Sequence, residues 1–460
     1  MTEHLPVLVI IIPLVLALIA PVAGRLNRIY SWAIALLATL FSFVGSVLLL
    51  YQVMYSGAIS YWMGGWEPPW GIEYVIDYFS GFVLVIVSFL AVAVTIFARK
   101  SVADEIDEKK IPAFYGVYLL FIVGLMGMIV TGDIFNLYVF LEISSLTGYA
   151  LVAMGKRRKA PLAGFRYLVI GTVGATFILL GIGYLYIATG TLNMADLGAR
   201  LPGLFNSKLV ITAFAFFAIG FSIKIALFPL HTWLPDTVFG VQVFLNQWVS
   251  VPYFFLIIAS VAMLVGSILA IAQTNIKKML AYSSVSQIGY IILGVALMNP
   301  IGLQGGLLHI FNHALMKCAL FMSVGCIAYK TGITNIADLK GLGFKKPYSM
   351  VAFTAGALSM IGIPLTVGFV SKWYLAMGSL ENGMWYLIPV IVISSVLMLV
   401  YFWRVIDNIF FKAGDAVKMP ATPASMLIPT VVVAALCLVF GTLAFIPVNI
   451  TGKAVLLLFG

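Results

Sequence analysis

Ionisable side chains lie inside several long apolar stretches of this sequence. Glu142 stands in FNLYVFLEISSLTGYALV, Lys224 in FSIKIALFPLHTWLPD, and Lys372 in SMIGIPLTVGFVSKWYL. A charge at the centre of a bilayer costs roughly 2.5 to 3.5 kcal/mol on insertion scales, so such a residue is usually kept for ion conduction. We therefore predict that Glu142, Lys224 and Lys372 carry protons, or protons with a coupled cation, across a membrane.

Simpler explanations exist for Glu142 and Lys224. Glu142 could be neutralised by burial and merely hydrogen-bond a neighbouring helix. Lys224 could carry its ammonium back to water along its long stem. Against this, Pro229 and Pro235 follow Lys224 and should break its helix, and discontinuous helices are typical of ion sites in transporters. We predict that Glu142 and Lys224 approach each other as an ion pair or through a water, because opposite charges in a low dielectric relieve each other's desolvation only when they are close.

A second motif, LLHIFNHALMKCALF, repeats titratable residues every four positions. His309, His313 and Lys317 therefore lie on one face of a helix. Such a stripe could relay protons, because histidine titrates near neutral pH. Of the two histidines, His309 is the better candidate for a purely structural role. A metal pair at His309 and His313 is the alternative, but no carboxylate or cysteine accompanies them, so we expect no metal site.

The composition requires a membrane around these residues. The 460 residues are 63% hydrophobic and 9% charged, and a soluble globule would leave most of that apolar surface in water. The net charge of +10 comes from Lys and Arg in the loops between apolar runs, a pattern that reports membrane orientation rather than nucleic-acid binding. The three cysteines stand singly, without metal or cluster spacing, and are expected to be packing residues.

Apolar runs of about 20 residues, each long enough to cross a hydrocarbon core as a helix, recur along the whole chain. We predict one membrane domain, residues 1–460, with thirteen spans. They are placed at 5–23, 31–54, 75–98, 112–131, 132–154, 163–189, 208–230, 251–273, 279–298, 303–329, 349–378, 384–411 and 425–447.

The loop charges suggest that one crossing is missing from this count. Lys and Arg favour the cytoplasmic side, and the early basic loops agree with an outside N-terminus. The later basic loops, at Lys277 and Lys278 and from Lys330 to Lys346, become cytoplasmic only if one more crossing lies between Asp236 and Ala281. Either 237–273 is a very tight hairpin or a segment is absent, and we favour an absent segment.

Five ordered motifs give the chain a specific resemblance over nearly its whole length. They are TGDIFNLYVFLE, IKIALFPLHTWLPD, IKKMLAYSSVSQIGY, HIFNHALMKCALF and GIPLTVGFVSKW. The chain resembles the antiporter-like subunits of respiratory complex I, of Mrp-type sodium/proton antiporters and of membrane-bound hydrogenases. Within that group it looks most like the D-type subunit of Mrp antiporters, or its homologue in a hydrogenase or related redox complex, because Lys372 resembles the lysine of that subunit.

The resemblance implies an all-α, polytopic bundle of 13 to 14 transmembrane helices with two inverted five-helix repeats and Pro-broken helices. The first repeat would span 112–236, lacking its last helix, because this chain passes from HTWLPD directly to Thr237 where the family has a further helix. The second would span 251–411. The implied translocation residues are Glu142, Lys224, His313, Lys317 and Lys372, and His309, His231 and Asp133 are candidates for a secondary relay.

The implied partners are other membrane subunits, the lipid bilayer, H⁺ and, as an open alternative, Na⁺. The implied location is the cell membrane. No cofactor and no intrinsic redox chemistry are expected, because the sequence has no GxGxxG on a strand and no cysteine cluster. Any oxidoreductase activity would then come from partner subunits. A stand-alone transporter of a small solute is the alternative, although the buried groups form a charged series rather than a substrate-sized polar cavity.

Overall fold

The computed structural model describes residues 3–225, 250–413 and 420–459. Almost all secondary structure in these ranges is helical, and the contacts divide the chain into two compact units. The first unit comprises Met1–Thr95 and Glu105–Lys224, and the second Ile96–Asp104 and Ile225–Gly460.

The helices that supply the first unit begin and end within short loops. They are α1 (Leu5–Leu26), α2 (Arg28–Ser56), α3 (Tyr78–Glu105), whose C-terminal part belongs to the second unit, α4 (Ile111–Val130), α5 (Ile134–Ala153), α6 (Ala160–Thr189), α7 (Met194–Arg200) and α8 (Lys208–Lys224). Short polar side chains fix several starts: the Asn27 side chain accepts the N–H of Ile29, and that of Asn193 accepts the N–H of Asp196.

A two-stranded hairpin between α2 and α3 was not expected from the sequence. Strand β1 (Ile59–Trp62) pairs antiparallel with β2 (Glu73–Ile76), so that Ile59 lies opposite Ile76. Less exposed and more exposed residues alternate along both strands, as the period of a strand requires. Glu73 fastens this hairpin to the start of α7 by accepting a hydrogen bond from the Asn193 amide at 2.9 Å.

The second unit contains the remaining helices of the described ranges. They are α9 (Ser250–Ile271), α10 (Ile276–Ala296), α11 (Pro300–Ala328), α12 (Leu342–Lys345), α13 (Pro347–Ile361), α14 (Val367–Glu381), α15 (Leu387–Phe410), α16 (Ala424–Thr442) and α17 (Phe445–Phe459).

Glycine lets α10 and α11 approach closely. A Cβ atom added to Gly294 would stand 2.6 Å from the Cα of Gly306, which is closer than two such atoms can come. This contact sets the register of the two helices. It places Gln287 opposite His309 and Ser283 opposite Lys317.

One of the Pro-broken helices that the resemblance implies is found at Pro364. α13 ends at Ile361, α14 begins at Val367, and the backbone between them has positive φ angles of 89° at Gly362 and 71° at Leu365. Pro364 has no N–H to continue the ladder of α13. Lys372 lies in the first half of α14, after the break.

The helical membrane class is confirmed, since eleven helices in the described ranges are long and apolar enough to cross a bilayer. The other predicted spans coincide with helices to within several residues wherever the chain is described, but the predicted span 349–378 is two helices, α13 and α14, because the chain breaks around Pro364. The helices α7, α12 and α17 were not predicted. Four positions that the sequence analysis singled out lie outside the described residues: Pro229, His231, Pro235 and the junction between Asp236 and Thr237.

Candidate functional site

The predicted ion pair between Glu142 and Lys224 is confirmed. Lys224 Nζ lies 3.1 Å from Glu142 Oε1 and donates to Ser145 Oγ at 2.8 Å. Glu142 and Ser145 are three residues apart on α5 and so share a face. The side chain of Lys224 is 10% exposed and that of Glu142 is 21% exposed, so the pair is largely shielded.

The position of Lys224 in its helix favours its charge. It is the last residue of α8, where the helix dipole stabilises a cation. A buried ion pair contributes little net free energy to folding. Removal of one partner is nevertheless strongly destabilising, because the remaining charge stays in a low dielectric. Removal of either charged group would therefore leave the other without its partner.

Lys317 occupies a different environment in the second unit. Its side chain is buried in α11, and its ammonium donates to the backbone oxygen of Leu280 at 2.6 Å and to Ser283 Oγ at 2.5 Å. Both partners belong to α10. Among the described residues, no carboxylate takes part in these contacts, so neutral oxygens hold the ammonium.

The two histidines of α11 differ in their hydrogen bonding. His309 Nδ1 lies 2.9 Å from Ser371 Oγ and His309 Nε2 lies 2.9 Å from Gln287 Oε1, so both ring nitrogens are engaged. His313 Nε2 is buried and has no hydrogen-bond partner in the part of the chain that the structure describes. His309 thus has the partners expected of a structural histidine, whereas His313 has an unused nitrogen one turn away from Lys317.

Lys372 reaches back to the broken helix. Its ammonium donates to the backbone oxygens of Met360 at 2.9 Å and Ile361 at 2.8 Å, and to Ser395 Oγ of α15 at 2.9 Å. A Cβ atom added to Gly362 would stand 2.9 Å from Lys372 Cδ, so the glycine also leaves room for the lysine stem.

A buried polar row connects the two lysines of the second unit. The parallel rings of His309 and His313 have centroids 6.4 Å apart, which leaves room for a ring rotation or a bridging water rather than a direct hydrogen bond. From His309 the row continues through Ser371, which precedes Lys372 in the chain, and through Gln287, whose amide donates to Met398 Sδ at 3.3 Å. Met398 Sδ also contacts the Lys372 ammonium, at 3.8 Å.

The neutral side chains that contact the titratable residues of the two units were not predicted from the sequence. They are Ser145, Ser283, Gln287, Tyr290, Ser371 and Ser395. Serine is common in membrane helices and gives little signal alone. The one usable signal was SSVSQIGY, a polar run in a helix that is almost entirely buried.

Asp133, a candidate for a secondary relay, stands at the start of α5. Its Oδ1 accepts the backbone N–H of Asn136 at 2.6 Å, which makes it the N-cap of that helix. In the described ranges, no group of three or more His, Cys, Asp or Glu side chains is placed to hold a metal ion, and this includes the surroundings of His309 and His313. Cys318, Cys326 and Cys437 are free thiols.

The chain is similar to known membrane subunits over almost its full length. It is 43% identical to NADH-quinone oxidoreductase subunit N of Desulforudis audaxviator, with 94% of each chain covered. It is 28% identical to the D-type Na⁺/H⁺ antiporter subunit of Bacillus subtilis, covering 95% of this chain and 93% of the relative.

The fold of this chain is also similar to that of a membrane subunit whose structure has been solved. The match is a chain in the membrane-bound sulfane sulfur reductase, an archaeal respiratory membrane complex, with a TM-score of 0.90 and 30% identity. It covers 98% of this chain and 97% of that chain.

The model of the family described as NADH:quinone oxidoreductase/Mrp antiporter, transmembrane, matches residues 131–244 and 238–398. These two matches together cover more than half of the chain. They include the predicted site residues Glu142, Lys224, His309, His313, Lys317 and Lys372. The chain is therefore a multi-pass membrane protein that belongs to the NADH:quinone oxidoreductase/Mrp antiporter membrane subunit family.

Proposed function

We propose that this chain is a proton-translocating subunit of a multisubunit complex in the cell membrane. The observation that carries the proposal is the ion pair between Glu142 and Lys224, two groups that a bundle built only for packing would not retain. The polar row from Lys317 to Lys372 supports it independently, because it gives the second unit a buried series of proton carriers.

The chemistry of the first unit follows from its electrostatics. When Glu142 takes up a proton, Lys224 loses the negative charge that stabilises its ammonium, and release of the lysine proton becomes easier. Ser145 can bridge the two groups, since its hydroxyl both donates and accepts. One proton entering on the carboxylate side would thus favour release of another on the lysine side.

In the second unit, the proton would move along α11 toward α14. Lys317 and His313 are one helical turn apart, and the open Nε2 of His313 can accept or donate a proton according to its tautomer. His309 contacts Ser371 beside Lys372, so a proton that reaches His309 has a polar path to the end of the row. We propose Glu142, Lys224, His313, Lys317 and Lys372 as the translocation residues.

The partners in this proposal are other membrane subunits. The relatives described above are a subunit of NADH-quinone oxidoreductase, a subunit of a Na⁺/H⁺ antiporter and a member of a respiratory complex. In a redox complex, partner subunits would carry out the electron chemistry while this chain moves protons. Coupled sodium transport is the second possibility within the same function, and the antiporter relative favours it.

The experiment is reconstitution of the complex purified through this chain. In vesicles with an imposed pH gradient and a pH-sensitive dye, we expect proton flux from the intact complex and none from the isolated chain, because the proposal makes this chain one subunit of a multisubunit complex. The main alternative is a stand-alone transporter of a small solute. Solute uptake by the isolated chain, without proton flux in the complex, would replace the proposal with that alternative.

We also propose that the two repeats, 112–236 and 251–411, are separated in the natural protein by one further membrane crossing. Two findings beyond the loop charges support this. The family model matches in two pieces that meet at 238–244. The alignment with the Desulforudis audaxviator subunit runs over 474 positions, more than the 460 residues of this chain, although it covers only 94% of them. The relative therefore has residues within the aligned stretch that this chain lacks.

Intact-mass spectrometry of the protein isolated from its natural source tests this directly. We expect a mass above 50.0 kDa, with the excess mapping by peptide sequencing to the region between Asp236 and Ala281. The excess should amount to about 20 residues or more, the length of one crossing. A mass of 50.0 kDa with an uninterrupted peptide across Asp236 and Thr237 would refute the extra crossing.

A further inference from the structure

The proposed proton path of the first unit ends at Lys224, and that of the second unit ends at Lys372. Different groups hold these two ammonium ions. Lys224 is paired with the carboxylate of Glu142. The Lys372 ammonium instead lies among three neutral oxygens, from Met360, Ile361 and Ser395, at 2.8 to 2.9 Å. The ring of Tyr290 faces the same ammonium, with its centroid 5.0 Å from Nζ. We call this set of three oxygens the carbonyl cradle.

The helix break creates the carbonyl cradle. The last carbonyls of a helix have no N–H partner from the next turn, and they form the negative end of the helix dipole. Met360 and Ile361 are the last two residues of α13, immediately before the break at Gly362. The break therefore directs two electron-rich backbone oxygens at one point inside the protein, and Ser395 adds a third from α15.

Unwound backbone carbonyls and half-helix C-termini are groups that coordinate monovalent cations in transporters. The ligands are also unsuited to a divalent ion, since calcium and magnesium sites rely on carboxylates and none is among the contacts of this ammonium in the described ranges. A lysine ammonium carries the same single positive charge as a sodium ion. The cradle thus has the chemistry of a cation site that is filled by a side chain.

We propose that the carbonyl cradle is a monovalent-cation site, which the protonated ammonium of Lys372 occupies in this structure and which a sodium ion occupies after Lys372 has released its proton. The proposal rests on the proposed proton translocation and names the place where a cation would exchange for a proton. The charges balance: the lysine changes from ammonium to neutral amine, one proton leaves, one sodium ion enters, and the cradle holds one positive charge before and after.

Exclusion between the two occupants supplies the coupling. The same three oxygens cannot hold the ammonium and a sodium ion together, so each occupant lowers the affinity for the other, and such coupling is reciprocal. Within the described residues, the titratable groups that face Lys372 are Tyr290 of α10 and His309 of α11, which hydrogen-bonds Ser371, the residue before the lysine. α13 contributes carbonyl oxygens, and α15 contributes Ser395 and Met398.

The test measures binding of ²²Na⁺ to the purified complex over a pH series. We expect the sodium affinity of the wild type to rise about tenfold per pH unit while Lys372 is protonated and to level off once it is neutral, since one proton leaves the protonated lysine for each ion bound. In Lys372→Ala, binding should lose this pH dependence, because the competing ammonium is gone. Ser395→Ala should bind more weakly at every pH, whereas Ser379→Ala, which removes a hydroxyl bonded to Leu375 of its own helix, should match the wild type.

Proton flux is measured on the same preparations, which separates this inference from the proposed function. Wild-type proton flux without saturable ²²Na⁺ binding would overturn the cation site and leave proton translocation standing. The same pH dependence of binding in Lys372→Ala as in the wild type would also overturn it. If Lys372→Ala fails to assemble, Lys372→Met, with a stem of similar length, makes the same comparison. Absence of proton flux from the wild-type complex would refute the proposed function itself.

Discussion

Replacement of Glu142 by glutamine should abolish proton flux through the assembled complex while leaving the complex intact. Glutamine has nearly the same size as glutamate and keeps an oxygen that can accept the hydrogen bond from Lys224, but it cannot take up or release a proton at neutral pH. Breaking a buried pair can cost about 3 to 5 kcal/mol when the remaining charge has no partner. Here the amide oxygen and Ser145 still accept from the ammonium, so a smaller loss of stability is expected.

The matched control is Glu108→Gln. Glu108 also forms an ion pair, with Arg28 at 2.9 Å, but their side chains are 73% and 49% exposed, and surface pairs of this kind contribute little. Proton flux is measured by dye quenching in vesicles, and assembly by gel filtration. Wild-type flux in an assembled Glu142→Gln complex would exclude Glu142 from the path, and equal losses in both variants would point to a general effect of removing acidic residues.

The helical bundle and the Glu142 pair were predictable from the sequence because both follow from strong local rules. Apolar runs of sufficient length must be helices in a bilayer, and two opposite charges that have been removed from water must find each other. The hairpin of β1 and β2 escaped prediction because its two strands of four residues each are too short to give a periodic signal. The helix α17 was not predicted because Pro447, near its start, reads as the end of a helix in the sequence. The helix in fact continues to Phe459.

The surroundings of Lys372 were only partly predictable from the sequence. Pro364 predicted the break, and the apolar context of Lys372 predicted a buried charge. Neither could indicate that the lysine bends back onto the carbonyls of Met360 and Ile361, because that contact depends on the path of the chain between α13 and α14. Ser395 lies on a different helix, and only the packing of α15 brings it to the ammonium.

The whole-chain identities to known subunits bear on the type of parent complex independently of Lys372. Lys372 was the reason to favour the D-type subunit of Mrp antiporters from the sequence. The identity to a subunit N of NADH-quinone oxidoreductase is higher, at 43%, than the 28% identity to the Bacillus subtilis antiporter subunit. The carbonyl cradle offers a physical criterion, because a subunit that exchanges sodium for protons needs a cation site, whereas one that moves only protons does not.

Replacement of Lys317 by methionine should also abolish proton flux. Lys317 is a buried titratable group one turn from His313, and in the described structure its ammonium is held by neutral groups, the Leu280 carbonyl and the Ser283 hydroxyl. Methionine fills the space of the lysine stem but cannot carry a proton. Its loss removes one end of the buried row, and His313 then has no ammonium one turn away with which to exchange a proton.

Lys346→Met is the matched control for this variant. Lys346 is equally buried, with 7% of its surface exposed against 8% for Lys317, and its ammonium likewise donates to a backbone oxygen, that of Cys326 at 2.8 Å. That oxygen belongs to the C-terminal end of α11, so Lys346 caps a helix and lies outside the row. We expect Lys346→Met to lower the unfolding temperature and to keep proton flux per assembled complex, whereas Lys317→Met loses flux. If Lys317→Met conducts protons as well as Lys346→Met does, Lys317 is a packing residue, and the path in the second unit must begin at His313.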